Sequence, residues 1–156
     1  MQKLSPCLWF DGKAEAAAKF YTSIFKNSRI TQTTHHGDAG PGPKGSVLTV
    51  TFELEGQSFM ALNGGPEFTF NHAISLMVDC EDQAEIDRMT MALTEGGKQE
   101  DCGWVQDRYG LSWQLTPKIM MHLISDKHPD RQARVMAAMM KMKKLDIEAL
   151  KRAYEG

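Results

Sequence analysis

Apolar and polar positions in this chain follow two different periods, and the order in which the periods alternate predicts its elements. Residues 4–10, Leu-Ser-Pro-Cys-Leu-Trp-Phe, read as a strand. From Ala14 to Phe25 the period lengthens, because Ala17, Phe20, Tyr21, Ile24 and Phe25 fall at i, i+3, i+4, i+7 and i+8. That spacing is one buried stripe of an α-helix. Residues 28–35 are Thr-rich and β-prone, Gly37 to Gly45 form a Gly/Pro loop, and Val47 to Glu55 alternates. After Gly56 the stretch Ser58 to Leu62 predicts another strand. The first part of the chain is therefore strand, helix, three strands.

The pattern then restarts. Ala73 to Val78 is strand-like, and Asp82 with Glu85 forms a capping box for a helix that carries Ile86, Met89 and Leu93 on one face. Gly96-Gly97 ends this helix, and strands near 98–102, 104–108 and 111–116 follow. A shift of 68 residues lays Leu8 on Leu76, Phe10 on Val78, Asp11 on Asp79, Ala16 on Ala84, Tyr21 on Met89 and Phe25 on Leu93. A βαβββ module is thus repeated, over about 1–65 and 66–117. The repeat predicts an α+β fold: the two modules form a curved mixed sheet around a cleft, with their helices outside. Residues 118–156 read as a helical extension of the same domain, over Ile119 to Ile124, Asp130 past Met142, and Asp146 to Tyr154. Val135, Met136, Met139, Met140 and Met142 make this extension rich in flexible apolar surface, which favours a homodimer.

Composition narrows the partners. The chain has 156 residues, enough for one domain that buries roughly 68–70% of its unfolded surface. A net charge of −2 supplies no basic field, so nucleic acid is excluded as a partner. No stretch approaches the ~20 apolar residues of a membrane span. The N-terminus has Pro6 and Asp11 where a signal peptide needs an apolar run, so a cytoplasmic location is expected. Cys7, Cys80 and Cys102 are odd in number and far apart, which argues for free thiols, buried or half-buried.

Candidate chemistry follows from strand parity. If Leu8 and Phe10 face the helix, then Ser5, Cys7 and Trp9 face the cleft. The corresponding positions elsewhere are Ala61, Asn63, Ser75, Met77, Ser112 and Gln114, with Cys102 and Trp104 near the rim. An apolar pocket with a few amides and hydroxyls suits a small hydrophobic or aromatic molecule. Gly40, Gly42 and Gly45 satisfy a G-x-G-x-x-G spacing, but Pro41 and Pro43 interrupt it and a strand follows, so it reads as a loop. His35 and His36 diverge on a strand and are expected in solvent.

The duplicated module, Phe20-Tyr21, Asn63-Gly64-Gly65, Cys102-Gly103-Trp104, the segment Asp107 to Gln114, and the tail from Met139-Met140-Lys141-Met142 through Asp146-Ile147 resemble the vicinal oxygen chelate superfamily. Within it the chain is similar to the PhnB-like branch, labelled 3-demethylubiquinone methyltransferase-like, over essentially its whole length. Metal-using members place a His at the start of the first strand, a Glu late in the fourth, a His or Glu at the start of the fifth and a Glu in the eighth. The resemblance carries these positions to Ser5 or Pro6, Ala61, Ala73 and Gln114, with His72 beside Ala73 on the other strand face. Divalent metals here need imidazole or carboxylate ligands, so the resemblance implies a member with no metal and no cofactor. It also implies a protein that binds a small molecule in the manner of bleomycin-resistance proteins, and it supports two-fold pairing. The alternative is an enzyme, including the labelled methyltransferase, although no Gly-rich turn for S-adenosylmethionine is evident.

Overall fold

The computed structural model describes residues 2–156 and divides into two compact units, one ending at Phe70 and the other spanning Asn71–Gly156. In the first, β1 (Cys7–Phe10), α1 (Ala14–Ile24), β2 (Ser28–His35), β3 (Val47–Leu54) and β4 (Gln57–Asn63) follow in that order. The sheet order is β1-β4-β3-β2, with β1 parallel to β4 and the other pairs antiparallel. Of the helical stripe read from sequence, Ala17, Tyr21, Ile24 and Phe25 lie in the core with Ala18, Leu8, Phe10, Val50, Phe52 and Phe59, while Phe20 is half-buried. Tyr21 stacks on Phe52 with ring centroids 6.2 Å apart. Each such large side chain contributes about 1.5–3 kcal/mol by leaving water. The N-terminus of α1 has no cap from its own segment, since Lys13 makes no side-chain cap bond. Asn63 at the end of β4 supplies it instead, accepting from the Ala14 amide at 2.9 Å and donating to the Val47 carbonyl at 3.0 Å.

The second unit repeats this topology. Its elements are β5 (Ser75–Cys80), α2 (Gln83–Leu93), β6 (Lys98–Gln99), β7 (Trp104–Gln106) and β8 (Ser112–Pro117), in sheet order β5-β8-β7-β6. The fold is α+β as the repeat predicts, but each module forms its own four-stranded sheet in place of one continuous ladder. Ile86, Met89 and Leu93 of α2 are buried, as are Val105, Trp113 and Leu115 of the strands it packs on. At the start of α2, Asp82 Oδ1 accepts the Glu85 amide at 2.8 Å, while the Glu85 carboxylate reaches back to the Glu81 amide at 2.8 Å. The strands expected near 98–102 and 104–108 are shorter, because the chain turns at Cys102 and Gly103, both at positive φ.

Three helices complete this unit: α3 (Met120–Ile124), α4 (Pro129–Met139) and α5 (Ile147–Glu155). They enclose a cluster of Met120, Leu123, Val135, Leu145 and Leu150, with Met139, Met142 and Tyr154 packed against it. Much of the apolar surface counted toward a dimer interface is therefore internal. Met121, Met136 and Met140 remain exposed. Helix α4 stops at Met139, not past Met142, because the Met142 and Lys143 carbonyls accept the Cys102 and Gly103 amides at 2.9 and 2.7 Å.

Candidate functional site

Register decides which side chains share the face turned away from each helix. In the first sheet Cys7 pairs with Met60, Leu8 with Ala61, Trp9 with Leu62 and Phe10 with Asn63. Paired residues point to the same face, so Cys7, Trp9, Met60 and Leu62 lie together on the open face, with Thr49 and Thr51 of β3 continuing it. Ala61 and Asn63 were expected there and are not. Ala61 is fully buried beside Leu8, and Asn63 is engaged as the cap of α1. The expectation was out by one residue, and in a strand such a slip moves a side chain to the opposite face.

Trp9 is tightly held. Its indole nitrogen donates to the Gly65 carbonyl at 2.8 Å, and Phe68 packs edge-on at 4.9 Å between centroids. A Cβ on Gly64 would lie 2.4 Å from the ring, so only glycine lets the indole rest there. Cys7 is exposed, a departure from the expected half-buried thiol, and desolvation pushes its pKa up, which weakens it as a nucleophile. Ser5 precedes β1, and its hydroxyl is buried without a hydrogen-bond partner.

The second sheet keeps the expected parity. Ser75, Met77, Ser112, Gln114 and Trp104 share its open face through the pairs Ser75–Ser112, Met77–Gln114 and Trp104–Gln114. Gln114 donates to the Ser75 hydroxyl at 2.9 Å. Met77 is 62% exposed, whereas Ser112 is fully buried and its hydroxyl has no partner. Cys102 sits in the turn before β7 with its sulfur 3.9 Å from that of Met140. Trp104 lines a shallow, open recess of about 500 Å³ with His72, Lys98, Gln99, Glu100, Asp101 and Lys143. His72, noted in the sequence only as the neighbour of Ala73, there touches Glu100, a residue not singled out from the sequence. They are 28 residues apart, and no local pattern joins them.

A second recess, of about 460 Å³, lies in the first unit between Asp11, Glu15, His36, Asn63 and the Gly/Pro loop. His36 is buried, contrary to the expectation of solvent exposure. Its ring fills the loop, since a Cβ on Gly40 or Gly42 would fall 2.8 or 2.5 Å from it. These glycines make room for an imidazole instead of cradling a phosphate.

The duplicated topology also locates the positions that metal-using relatives would fill. Trp9 pairs with Leu62 as Met77 pairs with Gln114, so Leu62, one residue after the expected Ala61, is the counterpart of Gln114. Ser5 and Ala73 occupy the other two, just before β1 and β5. In neither unit is the side chain at these positions an imidazole or a carboxylate, the groups a divalent cation takes. Among the described residues no group of three or more His, Cys, Asp and Glu side chains converges to hold one. No helix among the described residues is long and apolar enough to cross a membrane.

Residues 2–116 match the family described as 3-demethylubiquinone-9 3-methyltransferase. A PhnB protein from Bacillus cereus, provisionally described as such a methyltransferase, is 41% identical, covers 74% of this chain and 99% of its own, and has a TM-score of 0.68. A Pseudomonas aeruginosa protein at 20% identity covers 76% and 98%, with a TM-score of 0.62. A fosfomycin resistance protein from Listeria monocytogenes, crystallised with Mn(II) and sulfate, has 13% identity, coverage of 82% and 100%, and a TM-score of 0.54. The last two share the fold alone. No curated protein is significantly similar. With the family match spanning both modules and the paired βαβββ topology in place, the chain belongs to the 3-demethylubiquinone-9 3-methyltransferase family, the PhnB-like branch of the vicinal oxygen chelate superfamily.

Proposed function

We propose that this protein binds a small hydrophobic or aromatic molecule on the open face of its sheets without a metal ion. The observation that carries the reading is the set of apolar side chains on those faces: Trp9, Met60 and Leu62 in one unit, Met77 and Trp104 in the other. They stand beside a few hydroxyls and one amide, the usual mixture in a small-molecule site. Stacking on an indole adds about 0.5–1.5 kcal/mol beyond area burial, so small fragments bind at micromolar affinity at best. Titration with small aromatic and quinone compounds, followed by tryptophan fluorescence, tests this. Saturable quenching that falls in Trp9→Phe supports it, and a broad set with no saturable quenching refutes it.

Methyl transfer from S-adenosylmethionine is the competing reading, supported by the family description. It is disfavoured by the His36 ring, which occupies the Gly40 and Gly42 loop that would have to approach the cosubstrate. Calorimetry giving a micromolar one-to-one complex with S-adenosylmethionine would reverse this preference. The working assembly in this reading is a cytoplasmic homodimer, with exposed Met121, Met136 and Met140 as the helical surface to be covered. Light scattering that finds a monomer at tens of micromolar would remove that part.

A further inference from the structure

The second unit contains a pair of titratable groups that simple binding leaves without a task. His72, in the segment before β5, places Nε2 2.9 and 3.0 Å from the two carboxylate oxygens of Glu100. The Glu100 side chain is only 19% exposed, against 57% for His72. Lys98 Nζ lies 3.5 Å from the same carboxylate. The imidazole leans over Trp104, with centroids 6.4 Å apart and 34° between the planes. Asp101 and Lys143, the other charged groups of this recess, pair with each other at 3.2 Å.

We propose that this recess takes a small flat ring bearing an acidic hydroxyl, a phenol or a hydroxyquinone, and that His72 accepts its proton. The proposal rests on the reading that an aromatic ligand binds the open face to which Trp104 belongs. An ionised carboxylate only accepts hydrogen bonds, so the Nε2 facing Glu100 carries the hydrogen and Nδ1 of the neutral ring is left as an acceptor. The ligand O–H bond breaks, an Nδ1–H bond forms, and the electron pair stays on the phenolate oxygen. The two Glu100 oxygens continue to accept the Nε2–H of the imidazolium, which holds the ring in place. Once His72 is protonated, the recess holds three cationic groups, His72, Lys98 and Lys143, against the two carboxylates of Glu100 and Asp101. The excess of one positive charge matches one phenolate. Trp104 contributes the apolar floor on which the ring rests.

The probe is 4-nitrophenol, whose phenolate absorbs visibly, with 4-nitroanisole as the same ring lacking the proton. The full-length protein is expected to quench saturably with nitrophenol and to lower the apparent pKa of the bound probe by about one unit, a tenfold gain in phenolate over phenol at a given pH. His72→Gln is expected to keep the quenching but lose the ionisation shift, Glu100→Gln to shrink the shift, and nitroanisole to bind more weakly than nitrophenol. Quenching without extra phenolate, a shift that survives His72→Gln, or equal affinity for nitroanisole would overturn the proton transfer while leaving aromatic binding intact. Absence of saturable quenching by either compound would overturn both readings.

Discussion

Asp107 is the residue whose removal should be felt most sharply in the second unit. It is 2% exposed, yet its carboxylate is fully used: Oδ1 accepts the amides of Tyr109 at 2.8 Å and Leu111 at 3.1 Å, and Oδ2 accepts the Trp113 indole at 2.9 Å. Its backbone closes the same turn, donating to the Leu111 carbonyl at 2.9 Å and accepting the Gly110 amide at 3.0 Å. The carboxylate therefore fixes the turn between β7 and β8 and seats the largest buried ring of the unit. Asp107→Asn preserves size but leaves one acceptor oxygen for donors on two sides, so an NH2 group must face another N–H. Trp113 is 2% exposed and water cannot repair the mismatch. Hydrogen bonds to a charged group contribute about 1.5–3 kcal/mol each, and a stranded buried donor costs about 1–3 kcal/mol. The expected loss is about 3 kcal/mol, which lowers Tm by about 6–12 °C for a chain of this length. Urea unfolding followed by tryptophan fluorescence measures it, with Asp38→Asn as the control, since Asp38 pairs with Lys44 only at the exposed surface. A loss below about 0.5 kcal/mol, the ordinary range for surface changes, would refute the role assigned to the carboxylate.

Gly64→Ala places a methyl 2.4 Å from the Trp9 ring. The indole must move and lose the Gly65 carbonyl, so its emission should change and stability should fall by about 1–3 kcal/mol; an unchanged spectrum would contradict this packing. Cys80 is buried, and burial, with smaller contributions from Glu85 and Asp79, pushes its pKa up to about 12. It should resist alkylation at pH 8 until the protein is unfolded, while exposed Cys7 reacts in the native state. Because the folded protein holds that proton more tightly, the Cys80 contribution to stability is present below the ordinary thiol pKa and declines as pH rises toward about 12. Stability that rises over that alkaline window in a manner dependent on Cys80 would contradict the assignment. Zn²⁺, Mn²⁺ and Ni²⁺ should leave Tm unchanged, because the ligand positions hold Ser5, Leu62, Ala73 and Gln114; a native-state ligand at 100 Kd would add ~2.7 kcal/mol, and elemental analysis returning one metal per chain would refute the expectation.

Sequence alone determined what depends on neighbours within a few positions. The i, i+3, i+4 stripe of α1, the Asp82–Glu85 box and the 68-residue repeat are such features, and Cys7 and Ser75, which that shift superimposes, do begin β1 and β5. The burial of Leu8 and Phe10 was legible for the same reason, because alternation on a strand carries a phase. In β4 the run Phe59-Met60-Ala61-Leu62 is apolar throughout and carries none. Only pairing with β1 decided that Met60 and Leu62, not Ala61, face outward. The end of α4 was likewise hidden, since Met140 and Met142 continue an apolar helical pattern until amides from the 102–103 turn capture the following carbonyls. The burial of His36 in a glycine loop and the meeting of His72 with Glu100 were decided in the same way, by contacts between distant segments. Short-range periodicity fixes which elements form, whereas register, helix ends and side-chain meetings are set by hydrogen bonds and packing that exist only once those elements have been brought together.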